Sequence, residues 1–207
     1  MELERRFCDL HGLTVRAETE QPTISGYAAV FNSLSVELWG FREKIAPGAF
    51  ADTLADDIRA LWNHDAAIVL GRTKAGTLTL AEDNTGLRCE IAPPASAAAY
   101  VESIRRGDVD QMSFGFRTLK DEWNEDENGT LIRTLLRCKL YEVSPVTFPA
   151  YPATSIGVRS EGVDQTYGQI PVIPAQFQRA LNRADHIAPE LLRAQWQRRA
   201  RQLQLLT

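Results

Sequence analysis

Between Thr23 and Tyr141 the apolar residues of this chain come in short extended runs, each closed by Gly, Asn or Asp. That punctuation constrains the fold more than any other feature, because strands need only four to eight patterned residues whereas a packed helix needs more than ten. Thr23–Phe31 reads as a strand closed by Asn32-Ser33, and Ile68–Arg72, Thr77–Ala81 and Leu87–Ile91 follow in quick succession. Lys74-Ala75-Gly76 and Glu82–Gly86 separate them as turns, so the stretch is expected to form an antiparallel meander. Met112–Leu119 and Leu131–Tyr141 flank the acidic turn Asn124–Gly129, whose Asn-Gly pair is a strong hairpin signal. Helical spacing is limited in this part to Pro47–Leu54 and to the Ala-rich Ala95–Arg106, where Tyr100, Val101 and Ile104 share a face and Gly107 is placed as C-cap. Many short strands with two helices predict a β-rich α+β fold, a barrel or sandwich with helices packed outside.

The chain changes character near Arg159. Residues 161–174 are rich in Gly, Pro and polar side chains and read as a linker, which separates a 1–160 domain from a 175–207 tail. In the tail, Phe177, Leu181, Ala184 and Ala188, then Leu191, Leu192 and Trp196, fall at helical spacings, with Pro189 expected to break the stretch in two. Six arginines against Asp185 and Glu190 give the tail a net charge of +4, so the rest of the 207-residue chain carries −8 of the total −4. Such a basic amphipathic extension suits docking on something acidic or apolar.

This charge balance argues against nucleic acid held by bulk positive charge, and no apolar run approaches the ~18 residues of a membrane span. The start, Met1–Arg6, lacks the apolar core of a secretory signal, and the expected compartment is therefore a cell interior. Cys8, Cys89 and Cys138 are odd in number and show no CxxC spacing, which speaks against a disulfide scaffold and a zinc ribbon. GxSxG, HExxH and GxxxxGK[ST] are all missing, so any catalysis must come from a rarer constellation. Asn128-Gly129-Thr130 fits a hairpin turn better than a glycosylation site, and the acidic run Asp121–Glu127 lacks the spacing of a calcium loop.

Three residues have the chemistry of a nucleophilic site. His64, in Asn63-His64-Asp65, follows the apolar Ala60-Leu61-Trp62 at a strand end, where the scaffold would hold an imidazole with its ring reaching outward. The competing account is a turn histidine hydrogen-bonded to Asp65. Ser113, in Met112-Ser113-Phe114-Gly115-Phe116, alternates with bulky apolar neighbours and should face away from them, with Gly115 leaving room beside it. A packed strand with a serine chosen for its size is the account that composition alone favours. Glu142 lies in the apolar run Leu140–Val146 and, if buried, needs a partner: a histidine to orient or an arginine to pair with. Asp65 is the weaker orienter, since strand neighbours point to opposite faces. His11 and His186 read as surface residues.

Taken in order, seven blocks resemble those of the HK97-type prohead proteases of tailed phages. They are Gly26–Asn32, Ile45–Phe50, Asn63–Asp65, Leu70–Thr73, Gly76–Leu78, Met112–Phe116 and Glu142–Pro152, within a span from about Thr23 to Val158. The resemblance implies a serine endopeptidase related to the herpesvirus assemblins, with an antiparallel β-barrel surrounded by a few helices and here a C-terminal helical extension. It also implies Ser113 as nucleophile, His64 as general base and Glu142 as third member, where the assemblins use a second histidine. Backbone N–H groups would form the oxyanion hole, with Arg72 as the candidate region, and no metal or organic cofactor is called for. The expected substrates are the scaffolding segment of the major capsid protein and the protease itself, digested inside the assembling prohead in the host bacterial cytoplasm. A homodimer, recruitment by the 175–207 tail and self-cleavage in the linker are further expectations; nucleic acid and membrane are not expected partners. Two other readings stay open: a catalytically inactive capsid-assembly scaffold or chaperone, and a small-molecule hydrolase using the same three residues.

Overall fold

A computed structural model describes residues 3–8, 13–16, 22–38, 40–147, 163–164, 168–169 and 171–177. The chain divides into two compact units: 1–33, 44–122 and 134–170 form the first, and 34–43, 123–133 and 171–207 the second.

The described strands form two sheets. One takes β1 (Glu4–Cys8), β9 (Gln111–Glu125), β10 (Leu131–Val146), β5 (Arg59–Trp62) and β6 (Asp65–Arg72) in that spatial order. It continues beyond β1 into the two-residue strands β12 (Gly168–Gln169) and β11 (Val163–Asp164), both inside the segment read as a linker; β4 (Arg42–Ile45) also pairs with β10. The other sheet has the order β2 (Thr14–Arg16), β3 (Thr23–Val30), β8 (Gly86–Ile91), β7 (Leu78–Glu82). Every strand foreseen in the sequence is present, and β9 and β10 are longer than expected.

The meander holds only in part. β7 and β8 pair antiparallel, but β6 pairs with β5 in the other sheet. A 3-10 turn at Thr73–Ala75, closed by Gly76 at φ +69°, carries the chain from one sheet to the other. Gly71 marks how closely β6 approaches that crossover, since a Cβ there would lie 2.5 Å from the Thr77 carbonyl oxygen. The larger sheet is mixed, because β10 and β5 run parallel, with Glu142 opposite Arg59 and Val143 opposite Ala60. Pairing antiparallel throughout, the sequence expectation, is therefore corrected.

Of the two helices, Ala95–Arg106 is observed as a 3-10 turn leading into α1 (Ala98–Arg105). Its end is a Schellman motif: Gly107, at φ +80°, donates to the Ile104 carbonyl and Asp108 to that of Ser103. Pro47–Leu54 is instead a series of turns with one 3-10 turn at Ala51–Thr53. Gly48 at φ +84° prevents regular helix there, while Phe50 still delivers its ring to the core.

Ile24, Phe50, Ile58, Leu70, Leu87, Ile91, Phe114 and Phe116 are fully buried, with Phe114 set edge-on to Phe50. Cys89 and Cys138 lie among them as buried side chains. In the second unit, Phe41 packs edge-on against Trp123, and Arg133 lies over the Trp123 ring while its guanidinium meets the buried Glu43 carboxylate at 2.9 Å. The Asn124–Gly129 turn forms as expected, with the Asp126 carboxylate accepting the N–H groups of Asn128 and Thr130. Among the described residues, no helix is long and apolar enough to cross a membrane. The expected helices of the tail lie outside the described residues, apart from a 3-10 turn at Ala175–Phe177; His11 and His186 also lie outside them.

Candidate active site

Trp62 closes β5 and pairs with Asp65 at the start of β6, leaving Asn63 and His64 as a two-residue turn. Both have positive φ, +49° and +62°, the backbone pattern of tight hairpin turns with left-handed central residues. Asparagine and histidine are both among the non-glycine residues that enter this region most often, so the pair suits the turn that places His64. Asn63 fastens the turn. Its N–H donates to the Pro145 carbonyl at 3.0 Å, its side-chain amide donates to Thr147 Oγ1 at 3.0 Å, and its Oδ1 accepts the Thr147 N–H at 2.8 Å. The turn is thus tied to the end of β10, just past Glu142.

The consequence is the central contact of the site. His64 Nδ1 and Glu142 Oε1 are hydrogen-bonded at 2.6 Å. The Glu142 side chain is 9% exposed and that of His64 13%, so the pair is largely shielded from water. Glu142 Oε2 accepts the hydroxyl of Ser144 at 2.5 Å. Asp65, the weaker alternative, turns away and accepts the Ala67 N–H at 2.8 Å.

Ser113 lies on the neighbouring strand β9. Its register with β1 is unbroken from Cys8 opposite Met112 to Glu4 opposite Phe116, so residues 113 and 115 point to one face and 112, 114 and 116 to the other. The second set enters the core, as the alternation in the sequence predicted. The first set faces Glu142: a Cβ built on Gly115 would lie 2.4 Å from Glu142 Oε1 and 3.1 Å from its Cγ and Cδ. Ser113 therefore shares a sheet face with the His64–Glu142 pair. Its hydroxyl, fully buried, donates to the Arg6 carbonyl on β1 at 2.9 Å. The Arg6 guanidinium is buried in turn, on Glu4 Oε2 at 2.8 Å and over the Phe116 ring, and the other Glu4 oxygen accepts the Thr118 hydroxyl.

Arg72, the region suggested for oxyanion donors, is engaged elsewhere. Its guanidinium grips Asp57 at 2.7 and 2.6 Å and its N–H donates to Thr77 Oγ1 at 3.0 Å. Among the described residues there is no group of three or more His, Cys, Asp and Glu side chains able to hold a metal ion.

Two residues of this neighbourhood went unnoticed as individuals in the sequence. Ser144 is a small hydroxyl in an apolar strand, which signals nothing alone. Asn63 did carry a signal: an Asn-His pair between two strand-like runs fits a two-residue hairpin turn.

The sequence profile described as caudovirus prohead serine protease matches residues 11–168, an interval that contains both the β5–β6 turn and the two strands bearing Ser113 and Glu142. The prohead protease of Enterobacteria phage HK97 is 33% identical over 138 residues, which is 63% of this chain and 57% of that protein. The matched stretch thus spans little more than half of the relative's length. No solved structure matches the chain. Since the matched profile takes in well over half of the residues, this chain belongs to the caudovirus prohead serine protease family.

Proposed function

We propose that this protein is a serine endopeptidase of capsid maturation, in which Ser113 is the nucleophile, His64 the general base and Glu142 the acid that orients the histidine. The 2.6 Å contact between His64 Nδ1 and Glu142 Oε1, on the sheet face that carries Ser113, is the observation that supports it best. An ionised carboxylate only accepts hydrogen bonds, so it fixes the proton on Nδ1 and leaves Nε2 as the basic nitrogen. The Ser113 hydroxyl then turns from the Arg6 carbonyl toward Nε2 and attacks a peptide carbonyl as its proton passes to the imidazole. The imidazolium, stabilised by Glu142, returns the proton to the leaving amine, and water repeats the cycle on the acyl-enzyme. The developing oxyanion is met by backbone N–H donors.

The substrates in this reading are the scaffolding segment of the major capsid protein and the protease itself, cut within the 161–174 linker, and the compartment is the prohead in the host cytoplasm. A helix-decorated barrel of the assemblin kind belongs to the same reading, drawn from the two sheets.

One observation favours the rival, a catalytically inactive assembly factor: Ser113 is fully buried and its hydroxyl is bound to β1. A fluorophosphonate probe separates the two. The proposal expects wild-type protein to be labelled at Ser113, Ser113→Ala to remain unlabelled, and His64→Ala to react at least about a thousandfold more slowly. Wild-type protein that resists the probe under capsid-assembly conditions would leave the assembly factor standing.

A further inference from the structure

Glu142 is a largely buried carboxylate with two oxygens, and the His64 contact occupies one of them. The other is taken by Ser144, whose side chain is fully buried and whose hydroxyl has turned onto Oε2 at 2.5 Å. Residues 142 and 144 lie two apart on β10, so both point to the same face and the strand itself sets their spacing. A hydroxyl donating to an ionised carboxylate makes a short, strong hydrogen bond, and this one lies between two buried residues. Gly115 closes the third side, where any Cβ would collide with Oε1. Without a donor on Oε2, the carboxyl would be free to rotate about its terminal torsion, a soft one.

We propose that Ser144 is a positioning residue: its hydroxyl locks the Glu142 carboxylate so that Oε1 stays on His64 Nδ1. This rests on the catalytic roles given above. It adds a fourth member, one that acts through Glu142. The lock is built into one strand, so it is complete before any substrate arrives.

Two measurements on the full-length chain test it. In a Ser113→Ala background, which prevents self-digestion, the low-field proton resonance of His64 Nδ1 reports the hydrogen bond to Glu142 directly. Ser144→Ala is expected to shift that resonance or broaden it away while the amide spectrum of the core is kept. In the Ser113 protein, Ser144→Ala is expected to lower kcat on a capsid-protein substrate about tenfold with KM unchanged, and Ser144→Thr, which restores a hydroxyl, to recover most of the loss. An unmoved resonance together with kcat within twofold of wild type overturns the proposal. An unmoved resonance with a kcat loss that Ser144→Thr does not recover also overturns it, by assigning Ser144 to packing. If wild-type protein resists fluorophosphonate, the catalytic reading falls instead, and the resonance still decides whether Ser144 holds Glu142.

Discussion

Gly115 shows how one absent side chain shapes the site. In the sequence, a glycine two residues after Ser113 signals room for a close approach; in the structure the room is filled by the Glu142 carboxylate. Its backbone is ordinary strand, so alanine is tolerated conformationally and the nearest conflict is with Glu142. Because Cγ and Cδ are also within 3.1 Å of the added Cβ, the carboxyl must swing as a whole and leave His64. Gly115→Ala is therefore expected to fold with a lowered melting temperature, since it separates a buried pair, and to lose fluorophosphonate reactivity on the order of a hundredfold, the scale of a 1 Å misplacement. Unchanged reactivity would mean that the His64–Glu142 contact does not matter for the nucleophile. Glu142 stood out because a carboxylate in an apolar strand demands a partner, and His64 because it sits where a strand ends. Ser144 was illegible because a serine in a strand demands none.

Among the elements, the β5–β6 turn has the clearest division of labour. Asn63→Gly keeps the left-handed backbone and removes two side-chain hydrogen bonds, whereas Asn63→Ala removes the same bonds and adds left-handed strain. Melting temperature is expected to fall in the order wild type, glycine, alanine, with the glycine variant about 1–2 kcal/mol less stable. Labelling rates should fall in the same order; equal rates would show that tying the turn to β10 is not what places His64. At the base of this hairpin, Asp57 grips Arg72. The Arg72 hydrogen bond is the main cause that holds the Asp57 carboxyl down to about 2 from its usual 3.8, with further attraction from Arg59 and Lys74. The folded state thus binds this proton less tightly than the unfolded chain does. Its contribution to stability is complete above pH 3.8 and disappears as pH falls toward 2. Asp57→Asn should lose that contribution at neutral pH, and its melting curve against pH should be flatter than wild type between 4 and 2. Parallel curves would place the acid sensitivity elsewhere. Strands were readable here because alternation and turn residues are local; the sheet that each strand joins was not. β6 leaves the meander through a turn whose direction depends on Gly76 and on the packing of Gly71, neither of which periodicity records.

At the scale of the whole chain, the order of the family blocks carried more than any pattern within them. It brought together residues 64, 113 and 142, which no local rule connects. The parallel pairing of β10 with β5 could not be read in advance, because register between segments about 80 residues apart is set by packing and not by spacing. Charge is the one global property fully written in the sequence: −8 on residues 1–174 and +4 on 175–207. If the tail recruits the protease to the assembling shell, as its basic amphipathic pattern suggests, recruitment and catalysis are separable. A chain ending after residue 174 should react with fluorophosphonate at the wild-type rate and fail to co-purify with proheads. Full-length protein should be released from them by salt, because attraction between exposed charges is screened within about 8–10 Å at ordinary ionic strength. Co-purification of the shortened chain in normal amounts would assign recruitment to the acidic body and leave the basic tail without that role.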